Sequence, residues 1–149
     1  MKLFLICPVR NETDDEAREI EAYVSQLERA GHSVHWPKRD TRQDDPVGIA
    51  ICTQNVQAIK DADAVAVWWS PSTRGGLFDL GAAFAVRKMI LLANQVEMTE
   101  GKSFENVLAA LDTQSRQRPD SEQMDLCYVC GQLTINRSGM GKNLCVSCR

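Results

Sequence analysis

The sequence predicts an α/β fold: a three-layer sandwich around a small parallel sheet, followed by a short cysteine-bearing module. Three observations carry this. Residues 64–68, Ala-Val-Ala-Val-Trp, form a β-branched and aromatic run without alternation, the pattern of a strand covered on both faces. A polar turn with Gly75 and Gly76 follows, then a segment rich in small apolar residues through Val86, then a second unbroken apolar run at 89–93. A strand–helix–strand unit of this kind needs a right-handed crossover, which puts both strands parallel in one sheet. Finally, two Cys-x-x-Cys pairs lie beyond a polar stretch near the end of the chain. The expected organisation is a flavodoxin/Rossmann-like domain of at least four parallel strands over residues 1–115, a linker at 116–124 and a zinc ribbon at 125–149.

The bulk properties fit this reading. The chain has 149 residues, 44% hydrophobic and 25% charged, enough for one good core and a small appendage. A formal net charge of −3 gives no support for nonspecific binding to nucleic acid or acidic membranes. No apolar run approaches the roughly 20 residues that span a bilayer. The apolar start is short, lacks a small-residue cleavage site and stops at Pro8-Val9-Arg10, so it reads as a first strand and the protein as cytoplasmic.

In order, residues 2–7 are a buried strand with a loop at 8–13. Thr13 or Asp14 caps a long helix whose first turn carries Asp14, Asp15 and Glu16, suited to its positive end. Ala17, Ile20, Tyr23, Val24, Leu27 and Ala30 recur at helical spacing, and Gly31 ends the helix. Residues 33–36 are a second strand, and residues 37–46 a long polar loop. Residues 47–60 read as a helix with Ile49, Cys52, Val56 and Ile59 inward. The central strand–helix–strand unit comes next, and a last helix spans 103–115. Residues 114–125 are polar and linker-like.

Six cysteines in a cytoplasmic chain point to metal or free thiols before disulfides. Fourteen residues separate the Cys127–Cys130 pair from Cys145–Cys148, a spacing that makes a tetrahedral all-thiolate zinc site. Disulfides are the alternative, and iron also suits such ligands. With all four positions taken by protein, the zinc is structural, and it supplies folding energy that so short a segment lacks. Arg137, Lys142 and Arg149 are a weak indication of nucleic-acid contact; a stabilising or dimerising appendage is the plainer reading. Cys7 and Cys52 read as small buried hydrophobes. His32 and His35 show no spacing that suggests a metal site or a triad.

Ligands of parallel sheets bind outside the carboxyl ends of the strands, where Pro8, Arg10, residues 37–46 and residues 70–76 fall. Gly75 and Gly76 let a backbone approach a ligand, and the helix start favours anions. Ser72 and Thr73 either cap that helix or bind a phosphate. Arg10, Arg39 and Arg74 either converge on a phosphate or are solvated loop charges. Asp40 either reads a ligand hydroxyl or closes an Asx turn. Trp68 and Trp69 face opposite sides of the sheet, so one is core while Trp69, like Trp36, is a candidate for stacking on a base. Asp79 is either a first-turn acid complementing the helix dipole or a carboxylate aimed at the ligand.

One resemblance bears on these alternatives. The stretch from Ile59 through Asp63, the run Ser72-Thr73-Arg74-Gly75-Gly76-Leu77-Phe78-Asp79-Leu80-Gly81-Ala82-Ala83, and Lys88-Met89-Ile90 are similar to the nucleoside 2-deoxyribosyltransferase superfamily, which includes nucleotide N-glycoside hydrolases. The match covers roughly residues 1–112. Within it the chain looks most like a bacterial and phage branch carrying Pro-x-Arg-Asp-Thr-x-Gln, here Pro37 to Gln43, and Phe-Asp-Leu-Gly, here Phe78 to Gly81. In the superfamily a glutamate precedes Leu-Gly and attacks the anomeric carbon, and Asp79 holds that position one methylene shorter.

The resemblance implies cleavage or transfer at the N-glycosidic bond of a nucleoside 5′-monophosphate or nucleoside. It also implies no organic cofactor, and a homo-oligomer whose neighbouring subunit closes the site. The alternative expectation is a non-catalytic nucleotide-binding module whose zinc ribbon contacts a protein or nucleic acid.

Overall fold

The computed structural model describes residues 1–117 and two further strands, Met124–Leu126 and Leu133–Ile135. The first strand, β1 (Lys2–Ile6), is apolar without alternation, and its side chains divide the core in two. Leu3, Leu5 and Cys7 point to one side of the sheet, and Phe4 and Ile6 to the other, as the period of two requires. Helix α1 (Asp14–Arg29) covers the first side with Ile20, Val24 and Leu27. Thr13 caps it by accepting a hydrogen bond from the Glu16 N–H at 3.1 Å, and Gly31, at φ 89°, turns the chain away at its end.

The chain continues through β2 (Ser33–His35), α2 (Pro37–Asp40), α3 (Ile49–Asp61), β3 (Ala64–Val67), α4 (Arg74–Ala85), β4 (Met89–Leu92) and α5 (Phe104–Arg116). The four strands are parallel in the order β2-β1-β3-β4, with Leu3 opposite Ala64 and Ala64 opposite Met89. All four residues of β3 are buried. Ile59 of α3, Leu80 and Ala83 of α4 and Leu108 of α5 pack with Phe4, Ile6, Val65, Val67 and Ile90 on the second side. The result is the expected three-layer α/β arrangement. Helix α5 also meets the edge of the sheet. Ser115 Oγ accepts from the Ile90 N–H at 2.9 Å and Asp112 Oδ1 from the Leu92 N–H at 2.8 Å, so two donors of the edge strand are satisfied by side chains.

Three local expectations are corrected. The stretch 37–46 is not wholly irregular: Pro37 opens one helical turn, α2, as a residue with fixed φ and no N–H to lose can. Of the row expected inward on helix α3, Ile59 is buried and Cys52 and Val56 are half-buried. Ile49 is 69% exposed, and the buried positions are Asn55 and Ile59. A polar residue therefore takes a place that a search for apolar periodicity assigns elsewhere. The two glycines of the 70–76 turn belong to α4. A Cβ on Gly76 would fall against Thr73 Cγ2 and 2.7 Å from Ile6 Cγ2, so this glycine lets α4 close onto β1.

The remaining strands, β5 (Met124–Leu126) and β6 (Leu133–Ile135), pair antiparallel with Asp125 opposite Thr134. The expected zinc ligands Cys127, Cys130, Cys145 and Cys148 lie outside the described residues. Among the described residues no helix is long and apolar enough to cross a membrane.

Candidate functional site

The four strands β2-β1-β3-β4 run the same way, so the loops after β1, β2 and β3 gather at one end of that sheet. Helix α4 starts there, and Asp79 lies one and a half turns in, on the side that faces α3. Its side chain is buried, with the residue 7% exposed. Its one hydrogen-bond partner among the described residues is neutral: Asn55 Nδ2 donates to Oδ2 at 3.0 Å. Oδ1 has no hydrogen-bond partner among the described residues. Burial raises the carboxyl from 3.8 to about 6, and the Asn55 bond only partly opposes this. A carboxylate with one oxygen held by a neutral amide and no cation paired with it among the described residues is suited to act as a nucleophile or to stabilise developing positive charge.

Behind Asp79 runs a chain of polar groups. Thr41 Oγ1 donates to Asn55 Oδ1 at 2.8 Å and lies 2.9 Å from His35 Nε2. Thr41 and Asn55 are 4% and 6% exposed. The His35 ring stacks on Phe4 with centroids 5.3 Å apart. Burial lowers the His35 pKa, with Asp40 raising it and Arg39 lowering it further. A groove of about 340 Å³ beside β2, lined by His35, Ser33, Gln54, Gln57 and Asp61 among others, does not include Asp79. Reading the sequence did not single out Thr41, Asn55 or His35 as partners of Asp79. The one available signal was a polar residue one turn before Ile59 on an inward row.

The other candidates divide. Ser70 to Thr73 form a closed loop: Ser70 N–H donates to Thr73 Oγ1 at 3.1 Å, and the hydroxyls of Ser70 and Ser72 are 2.7 Å apart. Thr73 is buried and its hydroxyl turns back on the loop, so α4 begins without a side-chain cap. Gly75 has open space where a Cβ would be. Arg10 and Arg74 are exposed, and Pro8 is buried. Arg39 is engaged elsewhere: it pairs with Glu28 at 2.9 Å and Asp40 at 2.8 Å and donates to Val34 O at 2.8 Å. Asp40 Oδ2 accepts from the Trp36 N–H at 2.8 Å, closing its own turn.

The aromatic and sulfur groups are set by packing. Trp69 donates its indole N–H to Glu105 at 2.8 Å and packs beside Phe104, while Asn94 brackets its backbone with two bonds of 2.8 Å. Trp68 leans on Tyr23 on the opposite side. Trp36 is half-buried against the α1 side of the core. Burial pushes the Cys7 thiol up to about 12, so it stays protonated and unreactive at neutral pH. Among the described residues no cluster of three His, Cys, Asp or Glu side chains is placed to hold a metal ion.

No family model matches the chain, and no curated protein matches it. Solved structures do. A 2-deoxyribosyltransferase from the psychrotolerant bacterium Bacillus psychrosaccharolyticus aligns at a TM-score of 0.54 and 18% identity, covering 74% of this chain and 96% of its own. A CMP N-glycosidase from Clostridium botulinum aligns at a TM-score of 0.46 and 26% identity, over 62% of this chain and 67% of its own. The likeness to the 2-deoxyribosyltransferase is one of fold.

Proposed function

We propose that this chain cleaves or exchanges the N-glycosidic bond of a nucleoside or nucleoside 5′-monophosphate, with Asp79 as the attacking carboxylate. The observation that carries the reading is the state of Asp79: buried, bonded through one oxygen to a neutral amide and paired with no cation among the described residues, at the ligand end of a parallel sheet. The sequence around it and the fold shared with a 2-deoxyribosyltransferase support the same chemistry.

In the proposed reaction Oδ1 forms a bond to the anomeric carbon while the C–N bond breaks. The base leaves with the bonding electron pair and takes a proton from solvent. Water or a second base then attacks the same carbon and frees the carboxylate. Asp79 must be ionised to attack, so kcat/KM rises with pH through about 6. The uncapped start of α4, with Ser72, Gly75 and Arg74 around it, is the proposed seat of a 5′-phosphate. Arg10 is the other basic candidate. Arg39 reaches a ligand only by leaving Glu28 and Asp40.

The test is chromatographic. The protein is incubated with ribo- and deoxyribonucleosides and their 5′-monophosphates, beside Asp79→Asn. Free base from the parent and none from the variant supports the reading and names the substrate. No release, with a thermal shift from a nucleotide, replaces it with a binding module.

Cys127, Cys130, Cys145 and Cys148 are proposed as a closed structural zinc site. One zinc per purified chain is expected, lost on Cys130→Ser. Full-length protein that purifies without zinc and keeps its stability in chelator sinks that assignment.

A further inference from the structure

We propose that Thr41 and His35 are positioning residues for Asp79: they fix the Asn55 side-chain amide so that its N–H, and not its carbonyl, faces the carboxylate. The inference rests on the role given to Asp79 above and on hydrogen-bond polarity.

An ionised carboxylate only accepts, so Asn55 must present Nδ2 to Asp79 Oδ2, which are 3.0 Å apart. That leaves Asn55 Oδ1 needing a donor, and Thr41 Oγ1 lies 2.8 Å from it. A hydroxyl has one proton. Having given it to Asn55, Thr41 must accept from its other neighbour, so His35 Nε2, at 2.9 Å, must carry a proton. Each link has a single allowed direction once Asp79 is charged: His35 to Thr41, Thr41 to Asn55, Asn55 to Asp79.

The alternative is a concerted reversal. With Asn55 flipped, its carbonyl would meet Oδ2, which an ionised Asp79 repels and only a protonated one satisfies. Thr41 would then accept from the amide and donate to a His35 nitrogen that had lost its proton. The two polarities correspond to the two protonation states of Asp79, and the His35–Thr41 end biases the choice between them. Stacking on Phe4 fixes the plane of the His35 ring, and Thr41 and Asn55 are 4% and 6% exposed, so water does not readily substitute for either link. The charged groups near His35 are Asp40 and Arg39, with Lys2 and Asp61 lining the adjoining groove. Among the described residues, none of these pairs with Asp79.

The test uses the full-length chain in two independent measurements. Asp79 is titrated by carboxyl ¹³C NMR without substrate, and kcat and KM are measured on whatever substrate the base-release panel identifies. Thr41→Val keeps the shape and removes the hydroxyl. It is expected to raise the Asp79 midpoint by about one pH unit and to lower kcat about fivefold at pH 6 with little change in KM. Thr41→Ser, which restores the hydroxyl, should return both values most of the way to the parent. His35→Phe should move both in the same direction as Thr41→Val.

A folded Thr41→Val protein whose Asp79 midpoint is unchanged overturns the proposal. So does a Thr41→Ser protein that behaves as Thr41→Val, because shape and not the hydroxyl would then be at work. If the parent turns over nothing, the glycosidic reading fails, while the titration still decides the relay.

Discussion

Asp40 and Asp79 stand at the same end of the sheet with the same side chain, and their surroundings give them opposite characters. Asp40 is partly exposed, bonded to Arg39 and to the Trp36 N–H. Partial burial pushes its pKa up, but those two bonds together with the nearby charges of Arg39 and His35 outweigh it and hold the carboxyl below its usual range. Asp79 is buried against one neutral amide, and its pKa rises to about 6. Two of the nearby loop cations are engaged with other acids: Arg39 with Glu28 and Asp40, Lys38 with Glu12. Exposed ion pairs contribute little to stability, typically below about 1 kcal/mol, so these pairings chiefly shape the loops. The buried carboxylate does the reverse. Once ionised, it weakens the fold.

The comparison can be broken in four places. The largest effect is expected on turnover: Asp79→Asn should lower base release on the order of a thousandfold or more, measured on the substrate found for the parent. The second is on stability, with the opposite sign. The native pKa of Asp79 lies above its unfolded value of 3.8, so the carboxyl adds stability below about pH 4 that is lost as pH rises through 6. Asp79→Asn should therefore be more stable than the parent at pH 8, by up to about 3 kcal/mol, and equal to it near pH 4. Urea denaturation at the two pH values checks this, and a variant less stable at pH 8 contradicts it.

The third concerns the helix that carries Asp79. Gly76→Ala should cost about 1–3 kcal/mol by pushing α4 off Ile6 and Thr73, whereas Gly75→Ala meets open space and should cost nothing measurable. Thermal melts of the two variants side by side give the answer. The smallest effect is expected at the other carboxylate. Asp40→Ala removes the bond that closes the Trp36 turn and should cost about 1 kcal/mol, read by denaturation, with base release within about twofold of the parent.

What could be read in advance follows from the range of the forces involved. Strands β1, β3 and β4 and the inward faces of α1 and α4 announced themselves because burial on two sides leaves unbroken apolar runs, and on one side leaves a stripe. Thr13 and Gly31 announced the ends of α1 because capping is local. Asp79 was singled out by its neighbours in sequence. Its partners were not. Asn55 is 24 residues away, Thr41 a further 14, and their roles depend on the way α3 turns a polar residue inward. Composition and periodicity carry no record of which buried amide faces which carboxylate. Arg39 shows the converse: it follows β2 at the ligand end, as the sequence suggested, yet its long side chain reaches back to Glu28 and Val34.

The contact between α5 and β4 sets how large this sheet can become. A strand added beside β4 would itself expose a new row of amides, so an edge closed by a strand can be copied. Ser115 and Asp112 instead end the row with side chains borne on a helix, and Arg116 fastens Asp112 from behind. A helix offers no ladder to the next arrival. On that flank the sheet is finite by construction, and a neighbouring chain that tried to extend it would first have to strip α5 away.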